Sequence, residues 1–482
     1  RTFTAPDLAT CADCLAELVD PDDRRYRHPF ISCTNCGPRF TIVTELPYDR
    51  HTTTMVDFAM CDACQAEYSD PGNRRFHAQT IACHDCGPVL EYEDDERIAA
   101  NGVALAEARA ALQAGRILAV KGIGGYHLAC DGRNEAAVAE LRRRKRRGDK
   151  PFAIMVANLD VAATLVHIDE TEAATLLGAQ RPILLLDRRD DAEIAGSIAP
   201  GSPDIGLMLP YTPLHALLFG LPGDPPGPDV LVMTSGNLGG EPIAYDDEDA
   251  RIRLAGLADG WLRHDRRIAV PCDDSVARRV DGAEVAIRRS RGYAPLPVAL
   301  PASTTAMLAV GADLKNTCCV AEDRTAWLSQ HIGDMDDLAT LAAFDRSAHH
   351  LGLIAGIDAL ELACDSHPGY RSSSWALRHQ AGRPVAKVQH HHAHVASVMA
   401  EHGLSGETPV IGVAFDGTGY GTDGAIWGGE ILIADYVGFE RFRHLAYVGL
   451  AGGDISVDRP YRMALAHLRA AGIEWSEDLP PV

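Results

Sequence analysis

CADCLAELVDPDDRRYRHPFISCTNCGP (residues 11–38) and CDACQAEYSDPGNRRFHAQTIACHDCGP (residues 61–88) are two copies of one unit, set 50 residues apart. Each copy holds two Cys-x-x-Cys pairs with 18 residues between them: Cys11/Cys14 with Cys33/Cys36, and Cys61/Cys64 with Cys83/Cys86. The repeat extends beyond cysteine. Asp20-Pro21 matches Asp70-Pro71, Arg24-Arg25-Tyr26 matches Arg74-Arg75-Phe76, and Gly37-Pro38 matches Gly87-Pro88. Two turns that each supply two thiolates suit a tetrahedral four-cysteine zinc site. A disulfide framework would need an oxidising compartment, and no apolar stretch follows a basic start in this sequence. Two structural zinc ions are therefore expected. Spacing leaves open whether each copy closes on itself or exchanges pairs with the other. Closed sites of this kind fold a small module and do no chemistry, so function has to come from elsewhere.

The 482 residues suggest about three domains. A hydrophobic content of 46% is ample for packed cores. The net charge of −22 makes nucleic acid a poor partner, because phosphate repels an acidic chain. No apolar run reaches membrane-spanning length, so no membrane partner is expected and cytoplasm is the expected compartment. Arg1 at the start and Pro-Pro-Val at the end read as cut ends of a longer chain.

Past the repeats, Glu91–Glu96 (EYEDDE) reads as an acidic linker. From about residue 100 to 295, helices alternate with short apolar strands, which predicts an α/β domain. The strand Ile117–Val120 leads into the glycine-rich loop Lys121-Gly122-Ile123-Gly124-Gly125, and Val230–Thr234 ends at Ser235-Gly236-Asn237. Pro295–Pro301 reads as a second linker. A third region opens with a hairpin whose turn is Gly311–Asn316, and a similar pattern returns around Asp416-Gly417-Thr418-Gly419. Gly and Asp at such turns suit a phosphate and its cation.

Two constellations stand out. In Gln389-His390-His391-His392-Ala393-His394, His390 and His394 are four residues apart at the start of a helical pattern, so both imidazoles share one face. With Asp416 they make a plausible metal site, and His391 or His392 would support it or face substrate. The stretch Leu141–Pro151 is the most basic in the chain. Lys145, Arg147 and Lys150 would surround a nucleotide triphosphate, with Ser235 and Asn237 at a neighbouring strand end, where open α/β sheets bind ligands. Cys130, Cys272, Cys318, Cys319 and Cys364 have no evident base beside them and read as buried small hydrophobes.

These features together resemble the HypF family, the carbamoyltransferases of nickel–iron hydrogenase maturation. The resemblance rests on the cysteine repeats, KGIGGYHLACD (121–131), KRRGDKPFAIM (145–155), MTSGN (233–237), CDDSV (272–276), RGYAP (291–295), VGADLKNT (310–317), QHHHAH (389–394) and FDGTGYGTDG (415–424). It implies a multidomain α/β chain: tandem zinc modules over 1–97, a YrdC-like domain over 98–297, and part of a TsaD-like domain of the actin and sugar-kinase ATPase fold over 302–482. It also implies that carbamoyl-adenylate is made from ATP and carbamate, the latter derived from carbamoyl phosphate. The carbamoyl group then passes to the C-terminal cysteine of the partner HypE. Catalytic residues would be Lys121, Lys145, Arg147, His390 and His394. Lys121, Lys145, Arg147, Lys150, Ser235, Asn237 and Arg291 would bind nucleotide or carbamoyl. Mg2+ would accompany ATP, and Fe or Zn would sit at His390, His394 and Asp416.

Two departures from the family pattern bear on this reading. No acylphosphatase-like segment precedes the repeats, and a later glycine-rich loop with a further Asp ligand would lie past residue 482. The chain is therefore expected to form the adenylate and to transfer poorly. The competing readings are a threonylcarbamoyl-adenylate enzyme of tRNA modification, an antibiotic O-carbamoyltransferase, and a zinc-dependent adaptor. The zinc repeats and the domain order disfavour the first two, and the third leaves Ser235-Gly236-Asn237 and His390/His394 unexplained.

Overall fold

The computed structural model describes residues 4–453 and 455–474, so the outermost expected domain limits, 1–3 and 475–482, lie outside the described residues. The chain is built around a mixed sheet of eleven strands. At its centre run Leu118–Lys121, Tyr126–Asp131, Val230–Ser235 and Ala153–Val156. Their side chains are buried almost without exception, as expected of strands covered on both faces. Val230–Ser235 runs antiparallel to both its neighbours, so the sheet is not a uniformly parallel one.

One face of the sheet is covered by helices including Glu135–Lys145, Leu159–Leu165, Glu170–Leu177 and Asp247–Leu254. The other face packs against the helices Asn101–Gln113 and Pro213–Phe219 and against the first cysteine module itself. Cys14, Leu18, Phe30, Ile31, Cys33 and Cys36 share one core with Leu90, Leu118, Val120, Leu231 and Met233. Backbone bonds from Ala9 N to Ala179 O (2.8 Å) and Thr10 N to Tyr211 O (3.1 Å) tie the module down.

Two expected linkers, Glu91–Glu96 and Pro295–Pro301, are in large part strand. Leu90–Glu93 pairs with Gly260–His264 and with Ile98–Ala100, at the far edge of the large sheet. Its acidic residues stay at the surface side of the strand, where Arg263 and Arg251 meet Glu91 and Glu93. Pro297–Pro301 begins the long strand Pro297–Ala309, with Pro297 opposite Trp327 and Val298 opposite Ala326. Proline is tolerated there because it opens the strand. That strand sits in a four-stranded sheet with Cys319–Leu328, Glu361–Asp365 and Val385–Val388.

The last sheet has three strands, Val410–Tyr420, Ile426–Ala434 and Phe439–His444, with the helix His390–Glu401 packed on it through Val395 and Met399. Asp416-Gly417-Thr418-Gly419, expected as a turn, lies inside the first of these strands. The pairing register breaks between Phe415 and Gly419, and the chain reverses only at residues 421–425. Such a break re-aims a side chain, and here the side chain is Asp416. No helix among the described residues is long and apolar enough to cross a membrane.

Candidate active site and metal centres

The helix Glu135–Lys145 ends as Arg146 takes the left-handed conformation (φ 50°). That break turns the following basic residues back over the sheet end. Lys145 is 2% exposed, and its Nζ donates to Ser235 O (2.8 Å), Asn237 O (2.5 Å) and Asn237 Oδ1 (3.0 Å). The glycine between them is required by space: a Cβ on Gly236 would stand 2.7 Å from Tyr126 O. Arg147 lies over the Phe152 ring at 4.7 Å and donates to Pro151 O at 2.7 Å.

These groups open on a cavity of about 210 Å³. Lys145, Arg147, Lys150, Ser235 and Asn237 line it from the large sheet, as expected, while Lys315, His331 and Asp334 line it from the four-stranded sheet region. Sequence reading missed the second set, since Lys315 sits in a turn and gains its place only through tertiary packing. Around the cavity Lys145, Arg146, Arg147, Lys150, Arg288 and Lys315 outnumber Asp273, Glu241 and Asp334, a local positive field in a strongly acidic chain.

Burial, reinforced by Arg147, lowers the Lys145 ammonium to about 7. The group is therefore largely neutral above that pH until an anion arrives. Phosphate favours the charged form, so binding at pH 8 to 9 is expected to take up a proton and to weaken by up to about tenfold per pH unit. Calorimetric titration of the chain with ATP in two buffers of different ionisation enthalpy checks this. Folding carries the opposite sign. The folded value lies below the free-lysine value, so Lys145 disfavours folding in its protonated form, and the penalty fades as pH rises from about 7.

The other two expected phosphate ligands lie elsewhere. Arg291 is 2% exposed and its guanidinium is fully engaged inside the protein. Nε meets Asp274 Oδ1 at 2.7 Å, the terminal nitrogens donate to Gln180 O and Arg181 O, and the group stacks 3.4 Å above the Tyr211 ring. Lys121 is 1% exposed, pairs with Asp247 Oδ1 at 2.6 Å and donates to His264 O at 2.9 Å. Neither lines the 210 Å³ cavity.

The histidine run opens the helix His390–Glu401, with Gln389 as its cap, accepting from His392 N. His390 Nε2 lies 2.7 Å from Asp416 Oδ2 and 3.2 Å from His394 Nε2, and His394 Nε2 lies 3.3 Å from the same carboxylate oxygen. Two imidazoles and a carboxylate converging this closely suit a divalent transition metal. A residue not foreseen completes the arrangement. Asp365, at the end of Glu361–Asp365, accepts from His390 Nδ1 at 2.6 Å, the carboxylate–histidine pairing that fixes a metal-binding tautomer. Hydrogen bonds donated to the Asp365 carboxylate first and the Asp416 carboxylate second lift the His390 imidazolium to about 9; a bound cation would take the place of its Nε2 proton. His391 and His392 are buried, with His392 Nε2 held 2.6 Å from Asp435 O. The five remaining cysteines are buried or nearly so.

The four cysteines of each repeat close on themselves. Cys11, Cys14, Cys33 and Cys36 form one cluster, and Cys61, Cys64, Cys83 and Cys86 the other. Adjacent sulfurs lie 3.6 to 3.8 Å apart, against about 3.8 Å for four thiolates bound tetrahedrally by one zinc. The arginines, by contrast, are exchanged. Arg24 of the first copy donates to Cys83 Sγ (3.1 Å) and Cys64 Sγ (3.5 Å) of the second, and Arg25 pairs with Glu67 at 2.6 Å. Arg74 of the second copy donates to Cys14 Sγ (3.2 Å), and Arg74 and Arg75 both pair with Glu17. A four-thiolate zinc carries two net negative charges, and each guanidinium offsets part of that charge on its neighbour's cluster.

Four family models match the chain. One described as "HypF finger" covers 10–43 and 60–92, and one described as "Telomere recombination", of the Sua5, YciO and YrdC type, covers 110–290. One described as "HypF Kae1-like domain" covers 302–401, and one described as "Carbamoyltransferase, Kae1-like Domain, second subdomain" covers 412–481. The chain is 49% identical to "Carbamoyltransferase HypF2" of Cupriavidus necator over 98% of its own length and 60% of the relative's. It is 48% identical to "Carbamoyltransferase HypF" of Synechocystis, with 96% and 60% covered. Among solved structures it resembles full-length HypF in a phosphate- and nucleotide-bound form (TM-score 0.91, 44% identity, 97% of this chain and 60% of that one). HypF of T. kodakarensis is equally similar (TM-score 0.93, 43% identity, 98% and 61% covered). The chain thus spans about 60% of the length of the curated relatives it matches. Twin four-cysteine modules, a YrdC-like domain and a Kae1-like region in this order place the chain in the HypF family.

Proposed function

We propose that this chain carries the adenylate-forming and acyl-transfer sites of a hydrogenase-maturation carbamoyltransferase, divided as 1–97, 98–297 and 302–482. The observation that carries the reading is the cation-rich cavity between the YrdC-like and Kae1-like regions. In the first step a carbamate oxygen attacks the α-phosphorus of Mg2+-bound ATP. The α–β bond breaks, and pyrophosphate leaves with the electron pair. Lys145, Arg147 and Lys150 hold the triphosphate and stabilise the charge that grows on the departing pyrophosphate. Ser235 and Asn237, already bonded to each other at 3.0 Å, orient the nucleotide or the carbamoyl end.

In the second step the thiolate of the HypE C-terminal cysteine attacks the carbamoyl carbon, and AMP leaves. His390, His394 and Asp416 would hold a metal at this site, and when bound it would supply Lewis-acid polarisation of the carbonyl. Asp365 keeps the His390 ring in place. The acceptor sulfur belongs to the partner, in keeping with the burial of Cys130, Cys272, Cys318 and Cys364 and the half-burial of Cys319.

The test is exchange of labelled pyrophosphate into ATP by this chain, with carbamate supplied as its ammonium salt. Exchange is expected, and Lys145→Met should lower it by about 100-fold or more. No exchange in the parent, or equal exchange in the variant, would overturn the assignment.

A further inference from the structure

A second hollow lies on the other side of the Gly122–Gly125 loop, between the first cysteine module and the large sheet. It measures about 20 Å³, above the threshold of roughly 10–15 Å³ that a water needs, and it opens to solvent. Phe30, Thr10 and Thr212 form part of its wall, and Lys121, His264 and Arg266 bring charge and donors to it.

Arg266 is the group that demands an explanation. It is 6% exposed, yet among the described residues no carboxylate lies within 4.0 Å of it, and its guanidinium makes no hydrogen bond. Its guanidinium carbon lies 5.4 Å from the Phe30 ring, and the Asp7 and Asp265 carboxylates act on it only through space. The other buried arginines are all occupied. Arg25 has Glu67 and Ala82 O, Arg75 has Glu17 and Ser32 O, and Arg291 has Asp274 and two carbonyls. The Arg266 guanidinium nitrogens keep contact with the open hollow, and their five donors are left facing it without an acceptor from the protein. His264 beside it is 3% exposed, and its Nδ1 is buried without a partner. Lys121 adds a second cation, partly offset by Asp247. Asp7, the nearest buried carboxylate in electrostatic reach of Arg266, bonds instead to Arg39 N, Thr41 N and the Thr41 hydroxyl.

We propose that the hollow formed by Lys121, His264 and Arg266 binds a small oxyanion of carbonate or phosphate size. The guanidinium fork matches two oxygens of such an ion, and Lys121 lies at the same wall. The site is separate from the Lys145 cavity. Its occupant would brace the start of the Gly122–Gly125 loop, whose Gly124 already lies so close to Cys272 that a Cβ would stand 2.2 Å from its carbonyl oxygen.

The experiment pairs a soak with a titration. Crystals of the 482-residue chain soaked in sodium selenate should show an anomalous peak within hydrogen-bond distance of the Arg266 guanidinium. In solution, melting temperature is followed against sodium phosphate and, separately, sodium bicarbonate, at constant ionic strength set with chloride. The response is measured for the parent, Arg266→Met and Lys145→Met. Lys145→Met should keep a saturable rise that Arg266→Met loses, with apparent affinity weakened about tenfold or more. The stronger of the two titrants identifies the size of the natural occupant. A selenate peak confined to the Lys145 cavity, or an unchanged response in Arg266→Met, would overturn the proposal. Should Arg266→Met not fold, Arg266→Lys takes its place: it keeps the charge but loses the fork, and its affinity should still fall. These readouts do not depend on pyrophosphate exchange, so failure of one assignment is distinguishable from failure of the other.

Discussion

His390→Ala should strip the third metal from the chain and lower carbamoyl transfer in the full-length protein by about 10³-fold or more, a loss of roughly 4 kcal/mol of transition-state stabilisation. His390 is the hub of the cluster. Its Nε2 faces both Asp416 and His394, and its Nδ1 is bonded to Asp365. Removing it leaves His394, which is largely exposed, and Asp416 as two ligands without the third. Metal content measured by mass spectrometry on the dialysed chain checks the first half, with the cysteine-bound zinc as internal standard. Asp365→Asn is the graded companion. The ligands remain, but the ring loses its carboxylate partner, so metal affinity should fall about 10- to 100-fold. A chain that keeps three metals per molecule after His390→Ala would exclude this site. Pyrophosphate exchange should survive both substitutions, since neither residue lines the Lys145 cavity.

The parts of this site that were legible in the sequence are those fixed by local spacing. A four-residue step from one histidine to the next places both rings on one helical face, and a Cys-x-x-Cys turn presents two thiolates whatever surrounds it. What escaped was non-local. Asp365 ends an unremarkable strand 25 residues before His390 and matters only because Glu361–Asp365 pairs in parallel with Val385–Val388, which leads into the histidine helix. Lys315, His331 and Asp334 reach the Lys145 cavity through domain packing, for which no sequence period exists. Arg291 and Lys121, expected to hold phosphate, lie outside that cavity. Each stands in a motif beside a glycine, yet internal carboxylates and carbonyls claim the side chain. The two misread linkers share one cause. Glu91–Glu93 and Pro297–Pro301 are strand by pairing partner and not by propensity: Glu91 and Glu93 sit on the half-exposed side of their strand, and the proline-bearing start of Pro297–Ala309 pairs on one side only.

Cys14→Ser should release both zinc ions, not one. Loss of a structural zinc site removes on the order of 10 kcal/mol or more from the fold of its own module, and the arginine exchange carries the damage across. Cys14 is the sulfur that Arg74 of the second copy touches, and Glu17, on the same helix Ala12–Val19, holds both Arg74 and Arg75. When that helix loosens, Arg75 loses a partner while its side chain stays 5% exposed in the second copy's path to Ser32 O. Arg24 and Arg25, which follow the same helix, withdraw from Cys64, Cys83 and Glu67 at the other cluster. Independent modules would behave differently: one zinc would remain, and residues 61–88 would keep their amide protection. Hydrogen exchange read by mass spectrometry, with zinc counted in parallel, separates the two cases. Arg25→Met supplies the converse, leaving all eight thiolates in place. It should raise exchange in residues 61–88 more than in its own copy, because the groups it satisfies, Glu67 and Ala82 O, both lie there. The first module also shares the core of the large sheet. Loss of its zinc should therefore reach Leu118 and Val120, and through them the strand that leads into the Gly122–Gly125 loop.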